Sequence, residues 1–116
     1  MRRDPRAFLW DVREAALAIG TFTAGMDSSA YLVNDMAQSA VERKIEIIGE
    51  ALNQLGKLSP ALAARIPELP QIVAFRNQLI HGYATVNPGT VWNITQNALP
   101  PLILVVETLL AKLGEK

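Results

Sequence analysis

Apolar side chains in this sequence recur at intervals of three and four residues, and glycines and prolines interrupt that spacing at several places. Such intervals place apolar groups on one face of an α-helix. The sequence contains no alternating apolar and polar run of useful length, and no Asn-Gly or Asp-Gly hairpin signal. It therefore predicts an all-α, up-and-down bundle of four main helices plus a short helix.

The longest predicted helix begins near Asp27 and runs to Leu55, with Gly56 as its stop. Charged side chains such as Glu42 and Arg43 lie opposite its apolar face. The predicted apolar face carries Leu32, Met36, Ala40, Ile47, Ala51 and Leu55.

Two shorter elements flank this helix. The first helix starts at Asp4-Pro5, an N-cap residue followed by proline at the first helical position. The segment from Gly20 to Gly25 ends it. After the long helix, Ser59-Pro60 opens a short helical turn that runs through Arg65.

Two further helices complete the predicted bundle. Leu69-Pro70 opens a helix that ends close to Gly82, for which a left-handed C-terminal cap is expected. Asn87-Pro88 caps the last helix, which continues to Leu113. Pro100-Pro101 removes two backbone donors inside that helix, so we expect a kink there.

The composition suits one globular domain that covers residues 1–116. Half of the residues are hydrophobic, which is too many for a disordered chain. Eleven basic residues balance eleven acidic ones. A zero net charge removes the simplest argument for nucleic-acid binding, although a local basic patch remains compatible with it.

Several classes of protein are excluded by what the sequence lacks. It has no cysteine and one histidine, so it contains no disulfide scaffold, thiolate metal site or His-rich metal centre. We predict neither a metal nor a cofactor. The N-terminus does not resemble a signal peptide, and the apolar run from Leu102 to Val106 is too short to span a membrane. We therefore expect a cytoplasmic protein without a membrane partner.

Candidate chemistry concentrates in the nine residues from Phe75 to Tyr83. They include an arginine, a carboxamide, the single histidine and a tyrosine at the end of a helix. Asn77 and His81 share a helix face, but Arg76 and His81 lie about 140° apart around an ideal helix. Those two side chains converge only if the helix frays, or if a second chain brings its copy alongside. The spacing therefore indicates a symmetric dimer with these residues at its interface.

Two interpretations of Arg76 and His81 remain open from their chemistry. Together they suit metal-free RNA cleavage, in which His81 assists the ribose 2′-hydroxyl and Arg76 stabilises charge on the phosphate. Alternatively, His81 caps a helix C-terminus and Arg76 makes a structural ion pair. Tyr83 is likewise either an aromatic plug between helices or an exposed hydroxyl that orients RNA or becomes modified.

Other charged clusters are interpreted as surface. Glu42, Glu46 and Glu50 follow one another at four-residue spacing, which permits a metal site but favours a solvated or ion-paired face. An N-terminal basic cluster is closer to ordinary surface than to a nucleic-acid contact. Trp10 and Trp92 occupy apolar helical positions suited to packing. The basic cluster consists of Arg2, Arg3, Arg6 and Arg13.

The segment from Arg76 to Tyr83 resembles the Arg-x4-His-x-Tyr signature of HEPN-domain proteins. More narrowly, the chain resembles the HepT-like group, also called DUF86. The likeness extends in order over nearly the whole chain. It includes Asp4-Pro5, the long-helix segment from Ala40 to Ala51, Val91-Trp92 and Leu99-Pro100.

This resemblance implies a homodimeric helical bundle that acts as a metal-independent ribonuclease toxin. Arg76 and His81 would be catalytic, and Asn77 would be the polar residue that often follows the arginine. The implied partner is a nucleotidyltransferase antitoxin that transfers AMP to Tyr83, which adds bulk and negative charge to the RNA path.

The chain departs from the group at two places. Asn87 stands where an aspartate is common, and the segment 71–73 lacks a common tryptophan. The main alternative is a non-catalytic helical subunit that binds a nucleotide or a nucleotidyltransferase, in which Arg76 holds phosphate and no RNA strand is cut.

Overall fold

A computed structural model describes residues 3–82 and 86–114 of the chain. In these residues the regular structure is helical throughout, as the apolar spacing predicts. Seven helices follow one another: α1 (Pro5–Phe22), α2 (Ser28–Leu32), α3 (Asp35–Leu58), α4 (Pro60–Ala63), α5 (Leu69–His81), α6 (Pro88–Asn97) and α7 (Leu99–Lys112).

The core lies between the longer helices. Helix α1 packs along α3 and also against α7, and α5 packs against α3. Helix α2 bridges α3 and α6. Fully buried aliphatic side chains from several helices meet there, among them Leu9, Val12, Ile45, Ile48, Leu52, Ile72, Leu102 and Val106. This burial of apolar surface is the main force that holds the bundle together.

Local capping signals work as predicted at three helix starts. The Asp4 carboxylate accepts a hydrogen bond from the Arg6 backbone N–H at 2.8 Å, and the Asn87 side chain accepts one from Gly89 at 2.7 Å. Ser59 caps α4 through the Leu62 backbone N–H. Each cap satisfies a donor that the first helical turn leaves without an intrahelical partner.

The long helix predicted from Asp27 to Leu55 is wrong as one element. It breaks at Val33 and Asn34, because the Asn34 side chain accepts a hydrogen bond from the Ala37 backbone N–H at 2.9 Å and starts α3. The predicted apolar face is wrong at Leu32, which is 45% exposed, and at Met36, which is 83% exposed. The buried face instead runs through Ala37, Val41, Ile45, Ile48, Leu52 and Leu55.

Two helix ends also differ from the prediction. Gly56 does not stop α3, which continues to Leu58 until the extended backbone at Ser59 precedes Pro60. Gly82 ends α5 as predicted, but its φ of −129° is not left-handed. Its backbone N–H instead bonds to the Gln78 carbonyl at 2.7 Å.

The last predicted helix is two helices. The expected bend is present, but it is a break between two helices: Pro100 and Pro101 lie in the first turn of α7, where backbone N–H groups have no intrahelical acceptor. The axes of α6 and α7 differ by 42°. In the described part of the chain, no single helix is long and apolar enough to cross a bilayer, although this bent pair together has the length and composition.

Candidate functional site

The backbone of α3 approaches α5 closely beside Arg76. A side-chain Cβ built on Gly49 would lie 2.6 Å from Arg76 Cγ and closer still to Arg76 Cβ. Real carbon atoms do not approach to that distance without displacement. Glycine at position 49 therefore makes room for the arginine stem, and this contact sets where the guanidinium emerges.

The Arg76 guanidinium is held by two side chains. Its Nη2 pairs with Glu50 Oε1, and its Nη1 donates to Asn77 Oδ1 at 2.9 Å. Gln54 donates to the other Glu50 oxygen at 2.9 Å. The Arg76 side chain is 21% exposed, and its Nε is buried with no hydrogen-bond acceptor among the described residues. Since a guanidinium has five N–H donors, Arg76 keeps donors for a further acceptor.

Arg76 lines a cavity of about 270 Å³ between α1, α3 and α5. The apolar side chains of Phe8, Ile47, Ala51 and Ile80 also line it. Carboxylates are present beside the arginine, so a phosphate that binds there has to compete with Glu50.

The other two arginines of this cavity are also paired. Arg3 contacts Asp11 at 2.7 Å, and Arg43 contacts Glu46 at 3.2 Å. Arg3 further lies over the Phe8 ring, 4.8 Å from its centre. The cavity therefore joins three arginines with three carboxylates and carries no formal excess of positive charge.

His81 lies apart from this cavity. It is the last residue of α5, its side chain is exposed, and it does not line the space around Arg76. Because α5 stays helical through His81, the five-residue spacing separates the two side chains by about 140° around the axis. Within one chain the structure brings Arg76 to Asn77 and does not bring it to His81.

Tyr83 lies outside the described residues, as does Arg2. The roles assigned to Tyr83 from the sequence therefore remain predictions.

The three glutamates at four-residue spacing, Glu42, Glu46 and Glu50, have different surroundings. Glu50 pairs with Arg76, and Glu46 pairs with Arg43. Burial raises the pKa of Glu42 above its usual value, and the neighbouring Glu46 carboxylate raises it further. Within the two described ranges, no three His, Cys, Asp or Glu residues are placed to hold a metal ion.

An aromatic pair of one buried and one partly buried ring lies beside Glu42. The Tyr31 and Trp92 ring centres are 5.2 Å apart, and Tyr31 is fully buried. Burial raises the pKa of the Tyr31 phenol, with a further contribution from Glu42. Trp92 is partly buried and packs against the core as predicted, whereas Trp10 remains 45% exposed on α1.

Gly49 and the pairing of Glu50 with Arg76 are the features of this site that spacing did not reveal. Glu50 precedes Arg76 by 26 residues, so no local pattern connects them. A glycine in the middle of a strongly amphipathic helix was the available signal, because an interior glycine costs helix stability and often marks a close backbone approach.

Comparison of the sequence with known proteins shows which protein family the chain is similar to. The family model described as "Ribonuclease HepT-like" matches residues 12–109. A protein of Methanocaldococcus jannaschii named "Putative RNase MJ1380" is 33% identical over 91% of this chain and 96% of its own length. "Putative RNase MJ0125" of the same organism is 32% identical over 99% of this chain and 98% of its own length.

A third relative comes from another genus. "Probable ribonuclease HepT" of Thermococcus cleftensis is 32% identical over 88% of this chain and 92% of its own length. No solved structure gives a significant match.

Proposed function

Because this chain belongs to the ribonuclease HepT-like family, we propose that it is the endoribonuclease toxin of a toxin–antitoxin pair and cuts RNA without a metal ion. The observation that carries the proposal is the Arg76 guanidinium, which is fixed by Gly49 and Glu50 and retains free donors. The relatives named as RNases support the substrate class.

The proposed chemistry needs only two side chains. His81 takes the proton of a ribose 2′-hydroxyl, whose oxygen attacks the adjacent phosphorus. The bond from phosphorus to the 5′-oxygen breaks, and that oxygen takes up a proton from water. Arg76 stabilises the negative charge that develops on the phosphate. The products are a 2′,3′-cyclic phosphate and a 5′-hydroxyl.

Two chains complete the proposed site. The separation of Arg76 from His81 around α5 supports a homodimer in which the His81 of one protomer serves the Arg76 of its partner. A two-fold axis near the end of α5 produces two such sites at once.

The proposed antitoxin is a nucleotidyltransferase that modifies Tyr83. The Tyr83 oxygen attacks the α-phosphorus of ATP, pyrophosphate leaves, and the phenol proton is released. The attached AMP places a negative charge two residues from His81, where it repels the RNA backbone.

Cleavage in the presence of a chelator tests the nuclease. Purified protein incubated with total RNA and EDTA should yield fragments with 2′,3′-cyclic phosphate ends. His81→Ala should lower the cleavage rate by about 100-fold or more, since a general base contributes roughly that much. Gln96→Ala, an exposed change on α6, is the matched control and should cut normally. Cleavage that survives His81→Ala would contradict the proposal.

The second candidate function is a non-catalytic subunit that binds a nucleotide or a nucleotidyltransferase. It is favoured by the engagement of Arg76 with Glu50 and by its separation from His81 within one chain. A toxin should arrest growth when expressed alone and should be rescued by its antitoxin. A binding subunit should be harmless alone and should co-purify with the nucleotidyltransferase.

A further inference from the structure

A second cavity, larger than the one at Arg76, runs between α5 and α6. Its volume is about 550 Å³, within the range of about 300–1,000 Å³ typical of ligand sites. Gln71 and Gln78 line it from α5, and Asn93 and Asn97 line it from α6. Phe75, which is almost fully buried, forms part of its apolar wall. We call this cavity the amide groove.

The four carboxamides of the amide groove belong to exposed residues and have no hydrogen-bond partner within residues 3–82 and 86–114, so their donors and acceptors face the solvent side of the groove. Most other carboxamides of the described chain do have one: Asn34, Gln38, Gln54, Asn77, Asn87 and Gln96 each bond to a backbone or side-chain group. Thus four of the five carboxamides that have no partner among the described residues line this one groove; the fifth, Asn53, lines a different cavity.

The charge of the groove excludes the phosphate backbone as its main ligand. None of the described residues that line it is Lys, Arg or His. Among the described residues that line it, Glu68 is the one that is charged, and its Oε1 is buried without a hydrogen-bond partner in that part of the chain. Phosphate binding depends on cationic side chains, so a carboxylate among neutral amides disfavours it.

We propose that the amide groove binds unpaired bases of the RNA substrate. Carboxamides pair with base edges through one donor and one acceptor, and proteins that read RNA sequence do so on bases exposed in single strands. This inference rests on the proposed ribonuclease function and adds to it the part of the substrate that is recognised.

The position of the groove relative to His81 supports this assignment. Gln78 precedes His81 by three residues, so the two side chains lie on adjoining turns, about 4.5 Å apart along the helix axis. A base held at Gln78 therefore places a neighbouring phosphate near the exposed imidazole. Arg76, on another side of α5, does not line the groove.

Binding measurements separate the groove from the cleavage chemistry. In a His81→Ala background, which prevents cutting, fluorescence polarisation would compare a single-stranded RNA hexamer with an abasic hexamer of equal charge. We expect the base-bearing strand to bind about fivefold or more tightly. Gln78→Leu and Asn93→Leu should each remove most of that difference.

Two changes serve as controls because both remove carboxamides outside the groove. Gln96→Leu alters an exposed residue of α6, and Asn53→Leu alters another carboxamide without a partner among the described residues, one that lines a different cavity. Both should leave the preference for the base-bearing strand unchanged.

Several results would overturn the inference. Equal affinity for the abasic strand would do so, as would groove variants that match the controls. A change in sedimentation without a change in RNA binding would show that the groove is an interface between copies of the chain.

Cleavage of RNA by the unmodified protein in EDTA is measured in a separate experiment, so that the two proposals can fail independently. If the protein cuts RNA but the groove variants have no effect, base binding at the amide groove is refuted and the nuclease proposal stands. If the protein binds RNA in a base-dependent way but does not cut it, the nuclease proposal is refuted and base binding at the amide groove stands.

Discussion

The environment of Arg76 shows how one side chain depends on residues that are distant in sequence. Its stem packs on Gly49, and its guanidinium pairs with Glu50, which Gln54 holds in turn. An arginine of this kind is neither a free surface cation nor a fully buried one. Its orientation is set before any ligand binds, and such preorganisation lowers the entropy cost of the proposed contact with a phosphate.

Gly49→Ala tests this close approach. The added Cβ would overlap Arg76, and we expect the free energy of unfolding to fall by about 1–3 kcal/mol despite the better helix propensity of alanine. Urea denaturation followed by circular dichroism measures it.

Gly56→Ala, in the same helix, is the matched control. The nearest atom to its added Cβ is Ala63 Cβ at 3.9 Å, an ordinary contact. This variant should be more stable by about 0.5–1 kcal/mol. If the two alanines had effects of the same sign, the packing argument at Gly49 would be wrong.

At the scale of elements, caps decide where helices begin. Asp4, Asn87 and Ser59 precede proline, and this local pattern predicts their helix starts. Asn34 has no such proline, and the apolar spacing continues through it, so the break between α2 and α3 is not visible in the periodicity. The structure shows that Asn34 is a cap like the others.

Asn34→Ala should destabilise the protein by about 1 kcal/mol, because the Ala37 backbone N–H loses its acceptor. Thermal denaturation of the two proteins measures the loss. Asn34→Asp keeps an acceptor at the cap and should retain most of the stability. Equal melting temperatures for Asn34→Ala and the unmodified protein would show that the cap contributes nothing.

At the scale of the whole molecule, the proposed chemistry requires that Arg76 and His81 reach the same phosphate. One chain alone holds them about 140° apart around α5. The proposed homodimer solves this by pairing each arginine with the histidine of the partner.

Mixing two inactive variants tests that arrangement. The Arg76→Ala and His81→Ala variants should each be inactive alone. When equal amounts are unfolded and refolded together, half of the dimers contain one chain of each variant. Each mixed dimer then has one intact site. We expect about a quarter of the unmodified cleavage rate per chain. If both groups of a site came from the same chain, mixing would restore no activity.

The sequence by itself determined the helical class, most of the helix boundaries and the segment that holds the candidate chemistry. These depend on interactions within a few residues: apolar spacing, caps and prolines. Only the tertiary structure decided that Glu50 holds Arg76, that Gly49 admits its stem, and that four unused carboxamides face one groove between α5 and α6. Those contacts join residues of different helices, and their geometry follows from how the helices pack, which no local pattern encodes.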